Sequence, residues 1–166
     1  MTDTQKATFA AGCFWQVEAD YRKVDGVVST EVGYMGGTVE NPSYEQVCTD
    51  RTGHAEVTQV AFDPQRVSYE QLIDMFWEIH DPTQVNRQGP DVGTQYRSAI
   101  FTHDEDQALI AKRSLAKAQA RFSKPIATEI VPAATFWTAE DYHQRYLEKR
   151  GMASCTLELA ETDASD

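Results

Sequence analysis

Long apolar runs are missing from this sequence, and no stretch approaches the roughly 18 residues that a membrane span requires. No membrane association is expected. Basic residues are scarce beside acidic ones, 15 against 26, and the resulting net charge of -11 would repel a phosphate backbone. Nucleic acid is therefore excluded as a partner class. Cysteine is rare and odd in number: Cys13, Cys48 and Cys155 are separated by 35 and 107 residues, which matches no zinc pattern and leaves a disulfide scaffold unexpected. A redox or catalytic thiol fits this better. Internal repeats and linkers are also absent, so the 166 residues fit one domain, long enough to bury roughly two-thirds of its unfolded surface without staples. Residues 1–6 are polar and lead straight into the first strand, so no export signal is expected and the default compartment is cytoplasmic.

The stretch with most to say is Phe9-Ala10-Ala11-Gly12-Cys13-Phe14-Trp15. Residues 6–11 alternate, with Ala7, Phe9 and Ala11 on one face, as in a half-buried strand, and Gly12 marks a corner. Phe14, Val17, Tyr21 and Val24 then recur at helical spacing until Gly26. Cys13 thus falls at the mouth of a helix, where free N–H groups and the dipole favour a thiolate. The competing reading is a small buried apolar residue, since free cysteine is among the most buried types. Phe14 and Trp15 lie about 100° apart on a helix and cannot share one stripe, so one of them must line something other than the core.

Further along, residues 27–35 read as a strand before Gly36-Gly37, residues 43–50 as a turn, and residues 54–63 as a strand with Glu56 sharing a face with Val60 and Phe62. Ser68 to Gln71 has the form of a capping box for a helix whose stripe is Tyr69, Leu72, Ile73, Phe76, Trp77 and His80. Residues 81–96 show no period, and so long a loop in one domain is usually functional. A strand over residues 98–102, a helix over 104–123 with stripe Ala108, Ala111, Leu115, Ala118 and Phe122, a strand over 127–131 and a helix capped near Thr138 complete residues 1–151. Residues 152–166 read as a mobile acidic tail carrying Cys155. Strands alternating with helices point to an α+β two-layer sandwich with a mixed central sheet.

Gly12-Cys13-Phe14-Trp15, then Gly53-His54-Ala55-Glu56 and Gln95-Tyr96-Arg97-Ser98, closely resemble the motifs of the A-type peptide methionine sulfoxide reductases, in that family's order and over about residues 9–147. The resemblance implies a ferredoxin-like βαβ core with long loops. It also implies thiol-dependent reduction of methionine S-sulfoxide, free or in oxidised proteins, through a cysteine sulfenic acid and an intramolecular disulfide, with thioredoxin as reductant.

Role by role, Cys13 is the expected nucleophile. Glu56, desolvated on a half-apolar strand, would keep a proton near neutrality; alternatively it is a solvated edge residue. The resemblance gives it the task of protonating the sulfoxide oxygen. Tyr44 and Tyr96 stand in irregular segments, and the resemblance makes their hydroxyls donors to that oxygen. It likewise makes Asp91, otherwise a turn residue, an orienter of substrate or water. Trp15 and Phe14 would form an apolar wall for the S-methyl group, although Phe14 also suits ordinary core packing. Cys155 reads as the resolving thiol that attacks the sulfenic acid, here in an arm with one glycine where the family often has two. Cys48 reads as a bystander. His54 is taken to shape the site, His80 to lie in the core or at its rim, and His103 and His143 to be surface or packing residues. No metal and no bound cofactor are expected, and a monomer is. The rival functions are a cysteine hydrolase using Cys13 with His54, and a non-enzymatic thiol redox sensor.

Overall fold

In the computed structural model, which describes residues 4–150, the chain runs β1 (Gln5–Ala11), α1 (Phe14–Arg22), β2 (Val27–Met35), α2 (Tyr44–Cys48), β3 (Ala55–Phe62), α3 (Tyr69–Phe76), β4 (Arg87–Gln88), β5 (Asp91–Val92), β6 (Ser98–Thr102), α4 (Glu105–Ala118), β7 (Glu129–Pro132), β8 (Trp137–Thr138) and α5 (Tyr146–Lys149). Short 3-10 turns cover Thr94–Tyr96, Gln119–Arg121 and Asp141–His143. The six-stranded sheet has the order β7-β6-β1-β3-β2-β8, and β4 pairs only with β5. Every neighbouring pair in the large sheet is antiparallel except β6 with β7. The inner four, β6-β1-β3-β2, with α1 and α3 as crossovers, make the expected ferredoxin-like core.

Strand parity decides the layers. Ala7, Phe9 and Ala11 of β1, Val60 and Phe62 of β3 and Ile100 of β6 join Val17 and Tyr21 of α1, four residues of α3 and two of α4 in the main core. The helices thus share one face. On the other face, Ala10, Val57, Ala99 and Phe101 pack with Val131 of β7 and with Ala133 and Phe136 of the chain that follows it. Among the described residues this irregular crossing, and no helix, forms the cover. β1 is therefore buried on both sides from Ala7 to Ala11, where alternation alone predicts a half-buried strand. A strand with partners left and right and cover above and below has no solvent face.

The helix starts follow their caps. Ser43 and Ser68 each accept the N–H three residues on while Gln46 and Gln71 reach back, so both sites are complete capping boxes. The first makes residues 44–48 a helix where a turn was expected. The stripe of α4 also differs in phase: Gln107, Ala111, Ser114 and Ala118 are the buried set. Two polar side chains are tolerated because Gln107 Nε2 donates to the Lys6 carbonyl at 2.7 Å and Trp77 Nε1 donates to Ser114 Oγ at 2.8 Å. α3 ends at Phe76, short of His80, whose ring bonds the Phe76 carbonyl and Ser98 Oγ, each at 2.8 Å. Residues 81–96 hold a two-residue-stranded hairpin and a 3-10 turn. The helix expected from Thr138 is instead β8, a 3-10 turn and α5, because Trp137 and Thr138 pair with Tyr34 and Gly33 at the sheet edge.

Tyr21 ties two helices together. Its ring stacks on Phe9 with centroids 5.0 Å apart, and its hydroxyl donates to the Leu72 carbonyl of α3 at 2.9 Å in full burial. Tyr21→Phe should keep the stacking and cost about 1 kcal/mol, read as a lower urea midpoint at constant m-value. An unchanged midpoint would show that this bond contributes nothing.

Candidate active site

Cys13 is the N-cap residue of α1, in extended conformation, with its carbonyl accepting from Gln16 and Val17 and its side chain partly exposed. The corner before it depends on Gly12. At φ +94° that residue is in the left-handed region, and a Cβ there would lie 2.9 Å from Gln88 Cγ. Gln88 is in turn fixed by Asp81, accepting from its N–H and donating to its carbonyl. The long loop is thereby seated against the turn that presents the thiol.

Glu56 lies on the helix-facing side of β3, opposite Tyr34 of β2 and 1% exposed. One carboxyl oxygen accepts the Phe14 N–H at 3.2 Å. The other is buried without a partner among the described residues. Burial first, then the negative Asp91, raises this carboxyl to about 8 against the pull of the Phe14 N–H. At neutral pH it carries its proton, and the unpartnered oxygen is free to donate it. For Cys13 the expectation of a lowered thiol is corrected: burial, followed by the Glu56 and Asp91 charges, pushes it up to about 12 despite the N–H groups of Trp15 and Gln16. The helix end favours the thiolate, but removal from water outweighs it. Since Glu56 is itself neutral below about 8, its repulsion of a Cys13 thiolate is absent there. The resting pair is a neutral thiol beside a neutral acid.

Tyr44 opens α2 and Tyr96 closes the 3-10 turn Thr94–Tyr96, so each stands on a short helical element, where irregular backbone was expected. Burial, and then the Glu56 charge, raises both phenols well above their ordinary range, and the two rings lie close enough for Tyr96 to act on Tyr44. Tyr96 also feels Asp91 and Cys13. These hydroxyls stay protonated and are donors. Asp91 begins β5, and its charge reaches Cys13, Glu56 and Tyr96. Of the predicted residues, the fold therefore brings together Cys13, Glu56, Tyr44, Tyr96 and Asp91. Cys48 is exposed at the end of α2, the element that Tyr44 opens. Cys155 lies outside the described residues.

The aromatic wall contains more than was read from the sequence. Phe14 is 1% exposed and packs on Tyr34, ring centroids 5.7 Å apart, while Trp15 is half-buried and stacks on Tyr146 at 3.8 Å. His143 is a packing residue, the second of its two expected readings. It is fully buried among Phe14, Trp15, Tyr44 and Tyr142, and its Nδ1 accepts the Trp15 indole N–H at 2.8 Å. The expected helix over this segment hid it, since a regular helix would have put His143 and Tyr146 on one stripe. Tyr146 reaches Trp15 only because Arg145 takes a left-handed φ of 53°, held by a 2.7 Å bond from its N–H to the buried Glu18.

His54 serves the site by backbone support. Its Nδ1 accepts from Gly37 N at 2.9 Å and its Nε2 donates to the Val39 carbonyl at 2.7 Å. Both ring nitrogens are occupied, so no general base is left for a Cys13–His54 hydrolase. Among the described residues no group of three or more His, Cys, Asp or Glu is placed to hold a metal ion, and no helix is long and apolar enough to cross a membrane.

The family model for peptide methionine sulfoxide reductase matches residues 5–165. A peptide methionine sulfoxide reductase MsrA of Geobacter sulfurreducens is 62% identical over 156 residues, covering 93% of this chain and 96% of that protein. The crystal structure of Mxr1 from Saccharomyces cerevisiae in reduced form superposes with a TM-score of 0.86 at 41% identity, covering 90% of this chain and 87% of the other. Mxr1 in complex with Trx2 gives a TM-score of 0.63 at 29% identity, covering 87% of this chain and 85% of the other.

The raised Glu56 carboxyl has a cost that depends on pH. An acid whose folded value is about 8 against an ordinary 4.5 binds its proton more tightly when folded, so its contribution is fully present below 4.5 and is lost as pH rises through 8. Glu56→Gln should therefore flatten the fall in stability between pH 5 and about 8, which a single such group sets at about 1.4 kcal/mol per pH unit. Urea unfolding at several pH values measures this. Parallel curves for the variant and the parent would mean that Glu56 is ionised in the folded state.

Proposed function

Because this chain belongs to the peptide methionine sulfoxide reductase family, we propose that Cys13, Glu56, Tyr44 and Tyr96 carry its reaction, with Phe14, Trp15 and Asp91 binding the substrate and Cys155 resolving the oxidised thiol. The protein is an oxidoreductase that reduces methionine sulfoxide by thiol chemistry. The observation that supports the residue assignment best is the neutral, half-partnered Glu56 carboxyl whose backbone bond runs to the residue next to Cys13.

The steps follow from the protonation states. An S-methyl group packs against Phe14 and Trp15, and the sulfoxide oxygen takes the unpartnered Glu56 carboxyl and the two tyrosine hydroxyls as donors. Glu56 gives its proton to that oxygen as the Cys13 sulfur bonds the substrate sulfur, and the thiol proton replaces the one Glu56 has lost. The hydroxyl then passes from the substrate sulfur to the Cys13 sulfur: the S–S bond and the substrate S–O bond break, a Cys13 S–O bond forms, and methionine leaves with the remaining electron pair on its sulfur, so that Cys13 is left as sulfenic acid. Cys155 then attacks, water departs and a disulfide forms. An external dithiol returns both cysteines to thiols. That reductant is thioredoxin, in keeping with the solved complex of the relative Mxr1 with Trx2. The substrate is the S epimer, free or in oxidised proteins. Residues 1–151 act as one catalytic domain, a monomer working in the cytoplasm, with Cys155 supplied from residues 152–166.

The cysteine assignments are tested by turnover with dithiothreitol and with thioredoxin. Cys13→Ser should be inactive with either; Cys155→Ser should keep the first turnover and lose thioredoxin-driven recycling; Cys48→Ser should keep both. A recycling defect in Cys48→Ser instead would move the resolving role to that residue. A thiol that oxidises without multiple turnover would favour the redox-sensor reading.

The acid role of Glu56 predicts a single-turnover rate that falls as pH rises through about 8, where the carboxyl loses its proton. Glu56→Gln should lower that rate by about 10²–10⁴-fold and remove the fall. A rate that climbs steadily from neutral to alkaline pH would leave thiol ionisation in control and deny Glu56 the proton transfer.

A further inference from the structure

Glu140 touches none of the reacting groups, yet its carboxylate reaches three sides of the site. Oε2 accepts the Tyr44 N–H at 2.8 Å, at the first residue of α2. Oε1 accepts the Tyr34 hydroxyl at 2.9 Å, and the Tyr34 ring lies against Phe14. The same Oε1 is 3.9 Å from Nε2 of His143, beyond hydrogen-bond range, and that buried nitrogen has no other partner. On the far side of its ring, His143 receives the Trp15 indole N–H. An indole only donates, so in the neutral imidazole Nδ1 is bare and Nε2 carries the proton, pointing it toward the negative carboxylate.

Resting on the reductase reading above, we propose that Glu140 is a positioning residue for the reaction, holding the Tyr44 donor and the Phe14–Trp15 methyl wall at a fixed separation across the thiol. Charge-assisted bonds are the stronger kind, and here one anion spans two independent elements, α2 and β2. It also biases a third contact electrostatically. Were His143 to gain a proton, Nδ1–H would oppose the Trp15 N–H and the wall would lose its hold. The groups facing the imidazole are Phe14 and Trp15 from α1, Tyr44 from α2, and Tyr142 and Glu140 from its own segment, so Glu140 is the only anion among them. Burial pushes His143 below its ordinary value while Glu140 pulls the other way. Burial alone would raise Glu140, but the Tyr44 N–H and the Tyr34 hydroxyl hold it below the usual carboxylate range, so it remains an anion where the enzyme works.

Glu140→Gln is the informative variant. A carboxamide carries no charge: its one oxygen can accept the Tyr44 N–H while its amino group donates to the Tyr34 hydroxyl oxygen, so both contacts lose their charge assistance. Single-turnover reduction of N-acetyl-methionine S-sulfoxide should slow about tenfold, the scale of one lost charge-assisted bond, with Glu140→Ala slower still. The second readout needs no substrate. The part of the tryptophan emission that Trp15→Phe removes should change on acidification as His143 protonates, and its midpoint should move to lower pH by about half a unit in Glu140→Gln. Tyr34→Phe, which keeps the charge, should leave that midpoint in place. Slower turnover with an unmoved midpoint would overturn the link to the wall, and a moved midpoint with unchanged turnover would overturn the link to Tyr44. If Glu140→Gln does not fold, Glu140→Asp keeps the charge at shorter reach, and it must slow turnover while holding the midpoint; the reverse pattern refutes the proposal. A parent protein that reduces no sulfoxide would defeat the reductase reading alone, since the emission titration would still decide on Glu140.

Discussion

The bond from the Phe14 amide to the Glu56 carboxyl joins the first turn of α1 to the middle of the sheet, and with the pairing of β1 and β3 beneath it fixes the carboxyl near the thiol. It satisfies one of the free N–H groups that every helix start exposes. It also uses only one oxygen of the carboxyl, leaving its partner bare in a place where water is scarce. An ionised group there would be costly, so the carboxyl keeps its proton, and the same loss of water that does this also keeps Cys13 from ionising. One burial produces both halves of the resting state. In the proposed reaction, the thiol can ionise once a substrate oxygen has taken the Glu56 proton.

The framework behind this bond has little freedom. β1 is a central strand with partners on both edges and cover on both faces, and the thiol sits two residues beyond its end. The Gly12 corner is set from outside by Gln88, and the loop bearing Asp91 starts from the same contact. Glu56, Tyr34 and Val32 come from the two strands that pair over their whole length, β2 with β3. Glu56 thus stands on an inner strand, and the Gly12 corner and Cys13 follow directly from the end of another. The two tyrosine donors stand on short helical pieces fixed by side-chain caps, Ser43 with Gln46 for α2 and Asp50 reaching the Thr94 N–H at 2.8 Å for the turn that ends at Tyr96.

Local pattern made most of this legible before any coordinates. β2 and β6 have the bounds that periodicity gives them, and Ser68 with Gln71 announces α3. The motifs around Cys13, Glu56 and Tyr96 lead to a common place in the fold. What could not be read was whatever long-range contact decides. Double-sided burial of β1 depends on residues 133–136 crossing the far face, and no alternation within β1 encodes that. The phase of α4 is set by what Gln107 and Ser114 bond, since polar side chains do not register in an apolar stripe. His143 is a packing residue, one of its two expected readings, but its partners could not be named because Thr138 was taken as a helix cap when it belongs to an edge strand. Its role is visible only once Trp15, Tyr44 and Phe14 surround it. The direction of the Cys13 shift was misjudged for a related reason: the helix end is a local feature, whereas desolvation is a sum over the whole neighbourhood.

The segment that completes the aromatic wall is attached to the sheet mainly through side chains. β8 meets the sheet through two residue pairs, and its approach requires the bare backbone of Gly33, where a Cβ would fall 2.4 Å from the Trp137 carbonyl oxygen. Beyond that short ladder, Gln144 accepts the Val32 N–H and donates to the Val32 carbonyl, the Arg145 N–H reaches the buried Glu18, and Glu140 takes Tyr34 and Tyr44. Glu140, His143 and Tyr146 are thus tied down by polar side chains, whereas Cys13 and Glu56 take their places from backbone pairing along β1 and β3. The two halves of the neighbourhood answer to different forces, so a single side-chain replacement in the last segment can shift the aromatic surface and leave the ladder beneath the thiol as it was.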